Sequence, residues 1–354
     1  MDRQSYRYAL VLALFMALAG AVVAATGWYL GPPVGDLTRI SGLSERDYGW
    51  RGEALGYVEN QFTPLGQQTL MQHGAGGGIV VFGDSFSAPQ PGNVTWLNIL
   101  HEQSGYPITL VDIATMTEIL DYLQSDAYRQ NPPVAVIIEM AERTVFRRTL
   151  PLFETEGCEP VQTPATIAMS PVPVERRTWR QRQSFSSFDE LMSWGALALR
   201  LRAIARTKAV NLELSRDDLF SSRRANRLLI YRSDISRHTA QAIAPWSGAE
   251  AEKNAICALR TVIHAADGLS EVFVIVPPDK RSVYREWTQD ALPEKAVDFL
   301  RTLPGSLSGR YIDLLTPLDA AVQSGVRDVY LPNDTHWSAV GHEIVAERVL
   351  IRMK

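Results

Sequence analysis

Ile79-Val80-Val81-Phe82-Gly83-Asp84-Ser85-Phe86-Ser87 decides how the rest of the chain is read. Four apolar residues in a row, three of them β-branched, make too short a run for a helix and suit a strand covered on both faces. Gly-Asp-Ser then stops the strand with turn-forming residues. In an open parallel sheet, ligands gather beyond the carboxyl ends of the strands, so a serine here is presented at the sheet edge. Its own N–H and those of the following turn can face a developing oxyanion. Taken alone, the tripeptide is equally the grammar of an ordinary turn.

Outward from this strand, short apolar runs alternate with helix-length periodic segments. Thr95 to Gln103 carries helical signals, with Asn93 as N-cap and Gly105 beyond its end. A strand at Ile108–Ile113, a helix at Thr117–Ser125 and a strand at Val134–Glu139 follow. Later come a helix at Glu250–Asp267 closed by Gly268, a strand at Val272–Val276 ending at Pro277-Pro278, a strand at Tyr311–Leu315 and a final helix at Val340–Arg352. Strands separated by helices predict an α/β fold, an α/β/α sandwich with a mostly parallel sheet. The Gly74, Gly76, Gly77, Gly78 cluster precedes a strand, the wrong context for a phosphate-binding loop, and reads as a flexible entry loop.

The 354 residues carry a net charge of −4, with 46% hydrophobic and 21% charged residues. This excludes a disordered chain and a polytopic membrane protein, and argues against a nucleic-acid partner, which would call for a marked cationic excess. One apolar outlier, Ala9 to Leu30, holds no charge and is long enough to cross a bilayer once. It reads as a signal anchor or, through the small residues Val23-Ala24-Ala25, a signal peptide. The length of the run and the interfacial Trp28 and Tyr29 favour retention. Leu191 to Val210 is interrupted by Arg200, Arg202 and Arg206 and is at most an amphipathic helix. The expected plan is therefore a signal anchor (1–31), a juxtamembrane segment (32–75), and an exported domain (76–354) interrupted by an insertion at 145–248. Arg143 to Arg237 holds 17 Lys and Arg against 10 Asp and Glu. A basic cap on an acidic body suggests an anionic partner, or simply a solvated helix face.

The second informative motif is Tyr330-Leu331-Pro332-Asn333-Asp334-Thr335-His336-Trp337-Ser338, just before the last helix. Two residues apart in a turn, Asp334 can reach the His336 Nδ1–H and leave Nε2 to face Ser85, which makes the histidine a general base. Cys257 sits mid-helix with no histidine motif beside it, so it is a weak rival nucleophile. The six histidines form no HxxxH or HxH pattern, so neither a metal nor a cofactor is expected. Cys158 and Cys257 also lack any zinc spacing, and are compatible with one disulfide in an oxidising compartment.

Together, the Gly-Asp-Ser strand end and the C-terminal Asp-x-His resemble the SGNH/GDSL hydrolase superfamily. Asp334-Thr335-His336-Trp337 resembles more narrowly the DxHW signature of the alginate O-acetyltransferase family of periplasmic polysaccharide-modifying proteins. Ser85-Phe86-Ser87-Ala88, Tyr122-Leu123-Gln124-Ser125, Pro132-Pro133 and Val136-Ile137-Ile138-Glu139-Met140-Ala141-Glu142-Arg143 follow that family's order, and Pro277-Pro278-Asp279-Lys280 with Tyr284 resembles its P-x-P-D-K segment. The likeness spans residues 76–150 and 250–352. Here Ser85 precedes the DxHW segment, the reverse of the alginate enzymes, as in a circularly permuted relative. Where the family supplies a glycine as second oxyanion donor, this chain has Ile113-Ala114-Thr115, which leaves the Ala114 amide. The superfamily's third-block Asn has no match; Glu139 stands at that strand end, and Glu142 and Arg143 are expected to pair at the substrate rim.

The resemblance implies a periplasmic serine-dependent O-acetyltransferase with Ser85, Asp334 and His336 catalytic, the Ser85 and Ala114 amides as oxyanion donors and Trp337 as a site wall. Its acceptor would be an exopolysaccharide, anionic or neutral, and its acetyl donor a membrane-bound acyltransferase. Trp96, Trp179, Trp194 and Trp246 could also stack on sugars or be buried. The alternatives are a polysaccharide or cell-wall acetylesterase and a non-catalytic glycan-binding subunit.

Overall fold

The computed structural model describes residues 3–30, 35–50, 62–74, 76–88, 94–112, 115–149, 208–232, 249–266, 268–289, 301, 303–305, 307 and 309–354. Its strands are β1 (Thr63–Pro64), β2 (Ile79–Gly83), β3 (Ile108–Asp112), β4 (Ala135–Glu139), β5 (Ala209–Glu213), β6 (Arg227–Tyr231), β7 (Glu271–Ile275) and β8 (Tyr311–Ile312). The described helices are α1 (Arg3–Leu30), α2 (Asp36–Ser41), α3 (Glu45–Tyr48), α4 (Gln67–His73), α5 (Trp96–Ser104), α6 (Met116–Gln124), α7 (Asp126–Gln130), α8 (Ala249–Ala265), α9 (Lys280–Val283), α10 (Leu315–Gln323) and α11 (Ala339–Met353).

Six strands form one parallel sheet in the order β1-β3-β2-β4-β7-β8. The inner strands β2, β4 and β7 are buried along their whole length, as their mostly apolar sequences suggest, with Glu139 and Glu271 the buried acids at a strand end. The chain steps from β2 to β3 on one side, then passes back over β2 to β4 and on to β7. Because such crossovers are right-handed, the reversal puts α5 on one face and α6 and α8 on the other. Accordingly α11 packs on α5, and α8 on α6. The reversal also opens a crevice between the carboxyl ends of β2 and β4, where ligands of such sheets bind. Ser85 stands at that crevice.

Local grammar fixes the helix ends. Thr115 and Glu118 form a reciprocal capping box at the start of α6, and Gly105 ends α5 in the left-handed region at φ 72°. The N-cap of α5 is Thr95, whose Oγ accepts the Asn98 N–H, rather than the expected Asn93, which lies outside the described residues.

Two expectations change. Residues 209–213 and 227–231 pair as an antiparallel hairpin where basic helices were expected; the second strand buries its apolar centre Leu228-Leu229-Ile230 while the first is only partly covered. Residues 35–50 and 62–74 are also no mere juxtamembrane link. β1 adds to the sheet edge beside β3, and Leu37, Tyr48 and Trp50 are buried. The insertion at 150–207 and 233–248, with Trp179, Trp194, Trp246 and Cys158, falls outside the described residues.

Among the described residues α1 alone is long and apolar enough to cross a bilayer, with mean hydropathy 2.4 over its best window, and it is the candidate membrane anchor. Leu10, Phe15, Leu18 and Trp28 are exposed on it, a pattern that a membrane span and a signal sequence share. At its far end the Ser44 hydroxyl donates to the Tyr29 carbonyl at 2.7 Å, and Arg46 lies over the Trp28 ring.

Candidate active site

The strand end of β2 is held in shape by its own acid. Asp84 Oδ1 accepts the Phe86 N–H at 3.1 Å and Oδ2 accepts the Ala141 N–H at 2.9 Å, which ties the serine turn to the end of β4. Gly83 allows the turn to close: a Cβ there would lie 2.7 Å from the Ser87 Cβ. Underneath, the wholly buried Glu139 accepts from the Asp84 N–H at 3.1 Å and from the Ser87 hydroxyl. Burial and the Asp84 charge push Glu139 well up. Burial also opposes the Asp84 charge, but hydrogen bonding with Glu139 and the Ala141 and Phe86 amides, and nearby Arg148, hold Asp84 below the usual range. Of the two acids, the one that shapes the turn is thus the more acidic.

Ser85 itself is exposed above this buried base. Its Oγ lies 2.8 Å from His336 Nε2, and His336 Nδ1 lies 2.6 Å from Asp334 Oδ1. An ionised carboxylate only accepts, so the Nδ1 proton points to Asp334 and Nε2 is left to accept the serine proton. Asp334 Oδ1 also accepts the His336 N–H at 3.0 Å. Burial works against the Asp334 charge, yet the hydrogen bond and charge of His336, with the Asp36 and His336 amides, lower it to about 2. The three residues expected to carry the chemistry are therefore brought together. Ala114 lies outside the described residues.

Trp337 does not wall the site. It is fully buried, its ring centroid 4.7 Å from that of Phe86, and Phe86 meets the His336 ring at 4.8 Å edge to face. It pairs with Tyr330 in an isolated bridge and backs the imidazole through Phe86. Trp96 is likewise buried, and its indole N–H donates to Ser87 Oγ at 3.2 Å, which removes it as a sugar platform. At the rim, Glu142 and Arg143 both reach across to the turn after β7. Arg143 pairs with Asp279 at 2.7 Å, and Glu142 accepts from the Asp279 N–H at 2.7 Å and from the Ser282 hydroxyl. The rim is thus a cross-strand clamp.

Lys280, at the start of α9, is buried, and its Nζ donates to the carbonyls of Leu331 (2.7 Å), Pro332 (3.0 Å) and Asp334 (3.2 Å). Burial lowers its ammonium to about 7. It staples the loop that carries Asp334 and His336.

Residues 239–354 match the family described as the SGNH hydrolase-like domain of acetyltransferase AlgX. The matched stretch takes in Asp334 and His336, and Ser85 lies outside it. No curated protein matches the chain. A solved mutant of Axe2, an acetyl-xylooligosaccharide esterase from Geobacillus stearmophilus, is similar with a TM-score of 0.37 and 11% identity over 79% of this chain and 95% of that one.

Sequence reasoning missed Asp36. Its N–H donates to Asp334 Oδ2 at 2.8 Å across 298 residues, and its carboxylate accepts from the Thr335 N–H (2.9 Å), the Thr335 hydroxyl (2.6 Å) and the Tyr231 hydroxyl (3.1 Å). Burial and the Asp334 charge raise its carboxyl. Asp36, Asp334 and His336 offer atoms within 4.8 Å of one another, a spacing that a cation can bridge. Here those atoms already have partners: Asp334 and His336 bond each other, the Asp36 N–H bonds Asp334, and the Asp36 carboxylate is taken up by Thr335 and Tyr231. Nothing local marks Asp36 beyond an acid opening a short helix.

Proposed function

We propose that the protein is a serine O-acetyltransferase that acts on an exported polysaccharide through an acetyl-serine intermediate. The observation that carries this is the unbroken relay from Asp334 through His336 to Ser85, with contacts of 2.6 and 2.8 Å. His336 takes the Ser85 proton as the oxygen attacks the acetyl carbonyl of the donor. The Ser85 amide meets the oxyanion. The imidazolium then returns its proton to the leaving group, and a sugar hydroxyl, deprotonated by the same His336, attacks the acetyl-serine and regenerates Ser85.

Retention of α1 would hold this site at the outer face of the inner membrane, in the periplasm. Acetyl-coenzyme A is cytoplasmic, so the donor there would be an acetyl group passed outward by a membrane-bound acyltransferase. The net positive charge of Arg143 to Arg237 favours an anionic acceptor such as a uronate polymer.

Exposure of Ser85 favours one rival, an acetylesterase in which water takes the acetyl group. Both are tested with p-nitrophenyl acetate, with and without an oligouronate, on the wild type and Ser85→Ala. Acetylated oligosaccharide that depends on Ser85 is the expected result. Acetate release with no sugar acetylation would establish the esterase, and turnover independent of Ser85 would remove both.

A further inference from the structure

We propose that Asp36 is a positioning residue, acting through Thr335 and Asp334 to hold the His336 imidazole on Ser85. This rests on the acyl-transfer reading of the site. Thr335 is the middle residue of the Asp-x-His turn, and Asp36 grips it twice, by its backbone N–H and by its hydroxyl. The Asp36 amide meanwhile occupies Asp334 Oδ2, the oxygen that His336 does not use. The acid and the middle residue of the turn are thus set by one residue from the other end of the chain.

Asp36 is itself held rigidly. Asn333 Oδ1 aside, the Asn333 backbone carbonyl accepts the Leu37 and Thr38 N–H groups at 3.2 and 3.3 Å. Glu45 on α3 accepts from the Gly35 N–H and from Asn333 Nδ2, each at 2.8 Å. Gly35 lies so close to the Asn333 carbonyl that any Cβ would collide with it. Residues 35–45 therefore close on the loop 333–336 as a fitted part.

Three donors converge on the Asp36 carboxyl, an arrangement that suits its ionised, acceptor-only form. The charged and titratable groups facing it are Asp334 and His336 on the loop, Lys280 on α9, and Tyr231 on β6 with Arg143 over its ring. A second negative group beside the imidazole favours the imidazolium that forms as Ser85 loses its proton. Asp36 thus contributes both orientation and field.

The test uses the full-length chain in detergent, with Asp36→Ala and Asp36→Asn compared with the wild type on p-nitrophenyl acetate across pH. Thermal melts establish that each variant is folded. Asp36→Ala is expected to lose about 10- to 100-fold in kcat with KM changed less than about twofold, because misorientation of a reacting group by about 1 Å costs on that order. Asp36→Asn keeps an acceptor for Thr335 and should recover part of kcat. In both variants the acid limb of kcat/KM should move to lower pH, since a neutral neighbour no longer favours the imidazolium. NMR titration of the His336 ring gives the same comparison without turnover, and its midpoint should fall in Asp36→Asn. Folded variants with wild-type kcat and unmoved limb and midpoint would overturn the proposal. Wild type without Ser85-dependent turnover would instead remove the acyl-transfer reading, and the NMR midpoint would still decide the role of Asp36.

Discussion

His336 Nε2 sits 2.8 Å from Ser85 Oγ, although 251 residues separate the two in sequence. The serine comes from the end of a central strand and the histidine from the loop before the last helix, so the contact forms only when α11 has docked on α5. One bond of that docking is the Trp96 N–H to His342 Nδ1, at 3.2 Å. His342 is buried, and burial lowers it to about 3, so it stays neutral and accepts.

Removing a member of the relay should remove turnover while leaving the fold. Ser85→Ala and His336→Ala are expected to lower kcat by at least about 10³-fold, and Asp334→Asn to cost about as much by freeing the imidazole to take the wrong tautomer. Steady-state rates with an activated acetyl ester, beside circular dichroism, check this. Substantial activity in folded Ser85→Ala would mean another nucleophile.

Lys280 ties its pH behaviour to the same loop. Burial lowers its ammonium from 10.5 to about 7, so between these values the unfolded chain holds a proton that the folded chain has shed. Its contribution to stability therefore rises with pH across that window, by at most about 1.4 kcal/mol per unit, and below about 7 the buried charge is a constant cost. Denaturant titrations of the wild type and Lys280→Met at pH 7 and 9.5 should show the difference moving in the wild type's favour at the higher pH. The variant should also lose about tenfold or more in kcat/KM, because the carbonyls of Leu331, Pro332 and Asp334 lose their common donor.

Gly83→Ala tests the serine turn. The new Cβ would lie 2.7 Å from Ser87 Cβ and Oγ and 3.0 Å from Glu139 Oε2, so the turn must shift. Overpacking of this kind costs about 1–3 kcal/mol. A lowered melting temperature with a larger fall in kcat than in KM is the expected result, since Ser85 moves relative to His336.

Cys257 is disulfide-bonded, and Cys158, outside the described residues, is the one other cysteine in the sequence. Peptide mapping without reductant should recover a Cys158–Cys257 cross-link, and Cys257→Ser should lose about 2–4 kcal/mol of stability because a long loop is no longer constrained in the unfolded chain. Equal melting of oxidised and reduced protein would contradict this.

The sheet was legible because period and punctuation are local properties: the apolar run at Ile79–Phe82, Gly105 after α5 and the proline pair after β7 each act within a few residues of themselves. For the same reason Ser85, Asp334 and His336 could be picked out, since a strand-end serine and an Asp-x-His turn are short patterns with one chemical use in common. The hairpin at 209–231 was not legible, because arginine-rich stretches satisfy a helix as readily as a strand until a covering surface selects one face. The inward turn of Trp337 was not legible either, because nothing within a few residues of it shows that Phe86, from the other end of the chain, packs on its ring. Asp36 had no local signal at all. Its place is fixed by the close approach of Gly35 to Asn333 and by four hydrogen bonds to residues far away in sequence, and such contacts exist only once both ends of the chain have folded onto the same edge of the sheet.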